Sequence, residues 1–344
     1  MEEDGLTARR KAALLTGGAV RVPQDFRPPF PLSRSTAGPG AGATSLVLCF
    51  EGTRVKKAIT QEGGDFELVR RGDRYAVLRG NEVLIDEVTL QPTLHHAPEQ
   101  AFFNLSSACI YSCKFCTSPR LDPRITKALD ADRIVRMVLE AEKGGNLKAV
   151  ALTSAVETSP QSTVDRMAEV VRRVREALPN VPIGVEPYVD RKEQIDQLKA
   201  AGADEIKLNI ETFDRDIFAK VCGEQDFDWI FEAIEHAVKV FGRGKVTSNI
   251  IFGMGESDQC VLDGVRALAE RGAVAVLRPL RLNDLNRAAM EAAVGKLEPL
   301  TPERVLRLAE GHRRILEEHG LDARELRTMC QACGCCDIVP FRDV

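Results

Sequence analysis

From about residue 100 onward the sequence alternates short apolar runs with helical periodicity, and few architectures tolerate that rhythm. The apolar runs fall at Ala101–Leu105, Ala149–Ser154, Ile183–Tyr188, Glu205–Glu211, Val246–Phe252 and Ala273–Leu277. Helical patterns separate them. The clearest places Met167, Val170, Val171, Val174 and Leu178 on one face of a 3.6-residue helix, stopped by Pro179-Asn180. The helix before it has Asp130 or Asp132 as N-cap and ends at Gly144-Gly145. Two later helices end at Ala201-Gly202 and Arg271-Gly272, and a final one opens at Thr301-Pro302 and runs to about Gly320. Six βα units in about 220 residues require a parallel sheet covered by helices. That leaves an open doubly wound sheet or a curved, incomplete barrel. In both, chemistry sits at the C-terminal strand ends, which makes the polar residues there the candidates.

The chain before this series reads differently. Residues 1–43 carry Pro23, Pro28, Pro29, Pro31 and Pro39 among Gly and Ser, which predicts an extension without a packed core. Residues 44–97 predict a small β-rich region: Leu46–Phe50 is apolar, and Tyr75–Leu78 and Val83–Ile85 flank a Gly80-Asn81 hairpin turn. The βα series occupies 98–322, and a Cys-rich tail occupies 323–344.

The 44% hydrophobic content among 344 residues supports a real core and excludes wholesale disorder. Lys plus Arg is 47 and Asp plus Glu is 51, a formal −4 that lacks the basic excess of a nucleic-acid binder. No uninterrupted apolar stretch is long enough for a membrane span, and the acidic start is followed by no apolar leader region. The expectation is a cytoplasmic chain with reduced thiols.

Seven of the ten cysteines form two tight groups. Cys109, Cys113 and Cys116 follow a Cys-x3-Cys-x2-Cys spacing in the loop after the first strand of the series. Three thiolates can hold one metal centre. Zinc sites usually close with four ligands, and no fourth Cys or His is local, whereas an iron–sulfur cubane on three cysteines leaves one iron open. Cys330, Cys333, Cys335 and Cys336 lie within seven residues after the last helix, where the chain end is expected to fold back over the barrel mouth. Metal binding is the reading, as an iron–sulfur centre or as a zinc clip, with a redox dithiol as rival. Neighbouring residues of an extended chain point to opposite sides, so Cys335 and Cys336 can share a cluster only across a turn, which Gly334 allows. Cys330, Cys333 and one of the pair are the favoured ligands. Cys49, Cys222 and Cys260 are read as packing residues, His95-His96 as linker, and His236, His312 and His319 as solvated.

The first cysteine spacing, with the aromatic Phe115 just before its last cysteine, resembles the radical S-adenosylmethionine (radical SAM) enzymes over roughly 98–322. The resemblance implies an α/β fold with a (βα)6 partial TIM barrel. It implies a [4Fe-4S] cluster on Cys109, Cys113 and Cys116 whose open iron is chelated by S-adenosylmethionine. One electron, from a ferredoxin- or flavodoxin-type donor, then yields a 5′-deoxyadenosyl radical that abstracts a substrate hydrogen. No catalytic side chain is assigned beyond the cluster.

Further strand ends extend the likeness. Thr153 and Ser154, with nearby Glu157, stand where many members have Gly-Gly-Glu, and are similar to the turn of lipoyl synthases. Alternation puts Lys207, Asn209 and Glu211 on one face of a strand; a similar Asn-x-Glu/Asp-Thr binds ribose in lipoyl and biotin synthases, implying cofactor contacts at Asn209 and Glu211. Ile251 would lie against adenine, and Gly253 would allow close backbone approach, although Asn249 replaces the family's first glycine there. Glu256 is expected to buttress that loop, Arg278 or Arg281 to pair with a carboxylate, and Glu186-Pro187-Tyr188 to point into the mouth.

The Thr-Ser turn, the Asn-x-Glu-Thr strand and the tail cysteines together look like sulfur-inserting synthases of the lipoyl type, with a second, auxiliary cluster in the tail. The usual lipoyl synthase carries its auxiliary cysteines before the barrel and ends in an Arg-Ser-Ser-Tyr-like segment. Here Cys49 alone precedes the barrel and the chain ends Pro340-Phe-Arg-Asp-Val. A subunit of a two-component lipoyl synthase fits better, implying a second radical SAM subunit and a lipoyl carrier protein as partners. The alternatives are other radical chemistry (peptide or cofactor modification, carbon–carbon bond formation or dehydrogenation) and a non-catalytic iron–sulfur or zinc protein. The complete cysteine triad argues against the last.

Overall fold

The computed structural model describes residues 2–34, 43–122 and 129–344; Met1, the segment 35–42 with Pro39, and 123–128 lie outside the described residues. The βα series forms six parallel strands, β8 Gln100–Asn104, β9 Ala149–Thr153, β10 Ile183–Glu186, β11 Glu205–Lys207, β12 Val246–Phe252 and β13 Val274–Pro279. They hydrogen-bond in unbroken sequence order, β8-β9-β10-β11-β12-β13. A doubly wound sheet must reverse its order at a switch point, and this one does not. Right-handed crossovers in one direction place every covering helix on one face and curl the sheet into a partial barrel.

The covering helices start where side chains cap them. Asp130 accepts from the Arg133 N–H to open α2 Ala131–Lys143, and Ser159 does so for α3 Pro160–Ala177. Helix α4 is Lys192–Ala200; Asp214 caps α5 Arg215–Val221 and Asp226 caps α6 Phe227–Phe241. Ser257 caps α7 Asp258–Glu270, α8 spans Arg287–Val294, and Thr301 caps α9 Pro302–Glu318. The core lies between these helices and the strands: every residue of β12 is buried, and Val164, Met167, Val170, Val171 and Val174 of α3 are at most 1% exposed.

Residues before the barrel form a second unit. Strands β1 Val20–Arg21, β2 Ser33–Arg34, β3 Thr44–Phe50, β4 Thr53–Thr60, β5 Phe66–Arg71, β6 Arg74–Arg79 and β7 Glu82–Gln91 make a sheet in the order β2-β3-β4-β1-β5-β6-β7. Strand β3 also pairs with β7, so the sheet closes on itself. Arg79 faces Glu82 across Gly80-Asn81, the two-residue turn expected there, with Gly80 at φ +61°.

The expectation of an unpacked N-terminal extension is corrected. Helix α1, Glu2–Thr16, packs against β4 and α9, with Ala12, Leu14 and Leu15 in the main core. Strand β1 inserts between β4 and β5, parallel to both. Prolines between 23 and 31 do interrupt regular structure, but they follow a folded segment. Lys57 of β4 donates to the carbonyls of Leu14 and Gly17 at 2.6 and 2.7 Å and so closes the C-terminal end of α1.

The tail is corrected too. It enters at the N-terminal ends of the barrel strands. Glu205, first residue of β11, accepts from the Arg327 and Thr328 N–H groups at 3.0 and 2.9 Å and from Thr328 Oγ1 at 2.6 Å. Gln100, first residue of β8, donates to the Met329 carbonyl at 3.1 Å, and Gln331 donates to the Ala275 carbonyl at 2.9 Å. A Cβ on Gly184 would sit 2.2 Å from Thr328 Oγ1, so β10 needs glycine where the tail crosses it. Helix α10, Met329–Cys333, therefore forms a floor to the barrel, with Met329 packed on Ala97, Phe102 and Ala151.

Candidate active site

Inward-facing residues of the strands enclose one cavity of about 340 Å³. Cys109, Cys113 and Cys116 line it from the loop after β8, and Cys330, Cys333, Cys335 and Cys336 line it from the floor. The two cysteine groups, distant in sequence, thus share a single chamber.

The upper loop is held by main-chain bonds. Ile110 N–H donates to Val156 O at 2.7 Å, Lys114 N–H to Val221 O at 2.9 Å, and Arg120 reaches the carbonyls of both Cys113 and Cys116. Asn286 Nδ2 donates to Phe115 O and Arg281 O, both at 2.9 Å, tying the loop to the end of β13. Burial pushes the Cys116 thiol up to about 11. Cys222, read from sequence as packing, is buried beside Cys113 and shares a hydrogen bond with it, and Gln225 Nε2 donates to Cys113 Sγ at 3.3 Å. Neither carried a sequence signal, because the contact depends on α5 folding back under the loop.

Between the cysteine groups runs a belt of buried charge. Lys207 Nζ lies 3.1 Å from Glu186, and Asn209 Nδ2 donates to the same carboxylate at 2.9 Å. Asn209 Oδ1 accepts from the Asn249 N–H at 3.1 Å. Glu211 adopts φ +63°, costly for a residue with a Cβ. Burial raises its carboxyl to about 7, against the pull of Lys207. At the floor, Cys330 Sγ accepts from Lys207 Nζ at 3.3 Å and Arg278 Nη2 at 2.8 Å, and Arg278 pairs with Asp337 at 3.2 Å. Burial nevertheless pushes the Cys330 thiol up. Cys333 is the opposite case: a hydrogen bond from the Cys335 thiol lowers it to about 6, helped by Arg54 and Lys56.

Thr153, Ser154, Phe115, Asn209, Glu211, Ile251 and Arg281 all line the cavity, as do Glu186, Pro187 and Tyr188. Glu157 and Gly253 do not. Glu157 is half exposed and 3.9 Å from Arg166. Gly253, at φ +99°, faces Leu300 on the loop that Glu256 braces. His96, expected in a linker, is a wall residue packed against Phe102, with ring centroids 4.8 Å apart and the planes tilted by 40°. His312, expected in solvent, is fully buried in α9. Ser45, Lys56 and Ala58 of the N-terminal sheet also reach the wall, which the sequence did not signal.

The donor set suits iron–sulfur chemistry better than a hard cation, since it is built from thiols. Among the described residues no three Cys, His, Asp or Glu side chains converge on a single-ion position. Several buried polar atoms on the cavity wall have no hydrogen-bond partner among the described residues: Glu211 Oε2, Asn249 Oδ1, and Arg281 Nε and Nη2. Such orphans are costly unless a bound molecule satisfies them. The residues present therefore fit a cluster with a polar cofactor beside it.

A partial barrel with a cysteine triad at its strand ends defines a class of cluster-binding enzyme folds. The comparisons name it: residues 103–268 match the model of the Radical SAM superfamily. It is 30% identical over 158 residues to a biotin synthase of Geotalea uraniireducens (strain Rf4), covering 44% of this chain and 46% of that one. It is 27% identical over 208 residues to a biotin synthase of Geotalea daltonii (strain DSM 22248 / JCM 15807 / FRC-32), covering 57% and 61%. A probable GTP 3',8-cyclase of Pyrococcus abyssi (strain GE5 / Orsay) is 28% identical over 176 residues, covering 50% and 53%. The chain spans about half the length of the curated relatives it matches. Among solved structures it resembles methylornithine synthase, with TM-score 0.51, 19% identity, and 64% and 69% of the two chains covered. The FeFe-hydrogenase maturase HydG from Carboxydothermus hydrogenoformans gives 0.53, 18%, and 64% and 52%. These structural likenesses concern the fold. No helix among the described residues is long and apolar enough to cross a membrane.

Proposed function

We propose that this protein generates a 5′-deoxyadenosyl radical from S-adenosylmethionine and uses it to open an unactivated C–H bond for sulfur insertion, as lipoyl and biotin synthases do. The observation that carries the reading is the single cavity with one cysteine group at the strand tops and the other at the floor. A substrate carbon held between them lies within reach of both. The biotin synthases among its relatives support sulfur insertion as the reaction class.

When bound, a [4Fe-4S] cluster on Cys109, Cys113 and Cys116 supplies the electron that cleaves the sulfonium. This chain's residues do the rest. Thr153 and Ser154 hydroxyls accept from the cofactor's ammonium, and the unpartnered Arg281 guanidinium takes its carboxylate. Glu211 and Asn209 face the ribose, and Ile251 and Phe115 bound the adenine. Glu157 and Gly253, outside the wall, shape the loops that carry these groups. The floor cysteines hold the second centre, and Lys207 and Arg278 neutralise the sulfur charge gathered there. The two-component version of this reading adds a lipoyl carrier protein as substrate bearer, a second radical SAM subunit, and a ferredoxin- or flavodoxin-type electron donor.

The test is anaerobic reconstitution with reductant and S-adenosylmethionine. Formation of 5′-deoxyadenosine, abolished by Cys113→Ala, is expected. An octanoylated carrier domain, offered with and without a partner subunit, should then gain the mass of sulfur. Cleavage without sulfur gain under any pairing removes sulfur insertion and leaves the radical step standing.

A further inference from the structure

Three consecutive carbonyl oxygens of the tail are each held by a donor from the N-terminal unit. Cys333 O accepts from Arg54 Nε at 2.7 Å, Gly334 O from Lys11 Nζ at 2.8 Å, and Cys335 O from the Lys56 N–H at 2.9 Å. Arg54 Nη2 adds a bond to Ala332 O at 3.2 Å. Three of these donors come from β4 and one from α1. The lysine is the telling residue. Lys11 is fully buried, and a lysine is almost never so placed unless paired. Its partner is Asp343, at 2.7 Å, which in turn accepts from Thr53 Oγ1 and the Val339 N–H, each at 2.7 Å. One buried ion pair thus bolts residue 11 to the end of the tail, with the four cysteines in the loop between.

The loop these bonds fix turns at a glycine. Gly334 sits at φ +64°, and a Cβ there would collide with the Arg342 guanidinium. On the barrel side, Arg278 and Lys207 meet the sulfur of Cys330. The N-terminal unit grips main-chain oxygens, and the barrel grips one thiol. Turning the carbonyls of 333 to 335 toward β4 and α1 sets how the thiols present themselves to the cavity.

We propose that the N-terminal unit is the positioning element of the second cysteine site: Lys11, Arg54 and strand β4 hold the Cys330–Cys336 loop in the geometry that takes up a metal centre. This rests on the reading that the floor cysteines bind iron, so the test separates the two. The full-length chain is reconstituted anaerobically as the parent, as Lys11→Met, as the milder Arg54→Gln on a partly exposed residue, and as Cys330→Ala/Cys333→Ala. The double cysteine variant is expected to fall from about eight irons to about four. Lys11→Met and Arg54→Gln are expected to lose up to that same half, with the second centre's electron paramagnetic resonance signal. The response of the first cluster's signal to S-adenosylmethionine should persist, which reports an intact barrel.

Hydrogen exchange on the metal-free chain provides the independent readout. The Gly334, Val339 and Asp343 amides should exchange at least about tenfold faster in Lys11→Met, and faster in Arg54→Gln, with β12 unchanged. If the double cysteine variant keeps all its iron, the metal reading fails and the exchange data still decide the clamp. If both clamp variants keep parental iron, signal and tail exchange, the positioning role is overturned.

Discussion

Arg278 Nη2 donates to Cys330 Sγ at 2.8 Å while holding Asp337 at 3.2 Å, so one buried guanidinium joins the barrel's last strand to a floor cysteine and to the tail's carboxylate. The group is 11% exposed and Asp337 is 3% exposed, which makes the pair one that cannot lean on water. Replacing Arg278 by Met removes the partner that Asp337 has in this pair. Breaking a buried pair from one side costs about 3–5 kcal/mol. Chemical denaturation of the metal-free protein should show a loss of that size for Arg278→Met. Arg278→Met/Asp337→Leu should recover much of it, and a double variant no better than the single one would show that the pair is not the source.

Glu256 closes the loop after β12. Its carboxylate accepts from the Gly253 and Met254 N–H groups at 2.7 and 2.8 Å and pairs with Arg304 at 2.9 Å, with 2% of the side chain exposed. Glu256→Ala strands two buried donors and should cost about 2–4 kcal/mol, Glu256→Gln about half as much. Because Ile251 lies directly before this loop, S-adenosylmethionine affinity should fall with stability. Equilibrium binding alongside denaturation checks both, and an Ala variant as stable as the parent would remove the buttress role.

How far the chain could be read in advance follows from what each signal depends on. The six strands fell close to their expected places because apolar runs and capping residues such as Asp130, Ser159 and Thr301 are local. The choice between a doubly wound sheet and a barrel was not local. It turned on strand order, which no window of sequence contains. The triad spacing located the upper site for the same local reason, and period-2 alternation placed Lys207, Asn209 and Glu211 together on the cavity wall. The tail's direction was misjudged because nothing near Cys330 says whether it meets strand tops or strand bottoms; the partners that decide, Gly184 and Glu205, lie over a hundred residues away. Helix α1 was hidden because its buried stripe of Ala8, Lys11, Ala12 and Leu15 is broken by a charge whose partner is residue 343. Glu211's positive φ has no sequence signature at all.

His312 should make the fold acid-sensitive. It is wholly buried in α9, neither ring nitrogen has a hydrogen-bond partner among the described residues, and burial lowers its pKa from 6.5 to about 3. The folded state therefore resists protonation that the unfolded chain accepts. Its contribution is fully present above pH 6.5 and is lost as the pH falls from there toward 3. The slope attributable to one such group is up to about 1.4 kcal/mol per pH unit. As pH drops from 7.5 to 4.5 the unfolding free energy of the parent should fall relative to that of His312→Met, whichever is the more stable at pH 7.5, because the variant lacks this component. A difference constant with pH would show that His312 does not titrate on unfolding.

The last prediction concerns the upper triad. Gln225 Nε2 donates to Cys113 Sγ at 3.3 Å, and Cys222, buried beside it, shares its thiol proton with the same sulfur. Cys116 has its own donors, the Ser118 N–H and hydroxyl, so the Cys222 and Gln225 bonds are the part of the sulfur environment contributed from α5 and the segment after it. Hydrogen bonds to cluster sulfurs favour the reduced, more negative state and so raise the reduction potential. A single net bond is worth about 0.5–1.5 kcal/mol, which is roughly 20–65 mV for a one-electron couple. Cys222→Ala and Gln225→Leu should each lower the potential of the cluster at this triad by an amount in that range, with its iron retained, and together by about the sum. Cys113→Ala, by contrast, should lose the cluster itself. Potentiometric titration followed by electron paramagnetic resonance measures the shift. If either variant instead loses iron, that residue holds the loop rather than tuning the sulfur; if neither shifts the potential, the donors do not reach the sulfur once the cluster is bound.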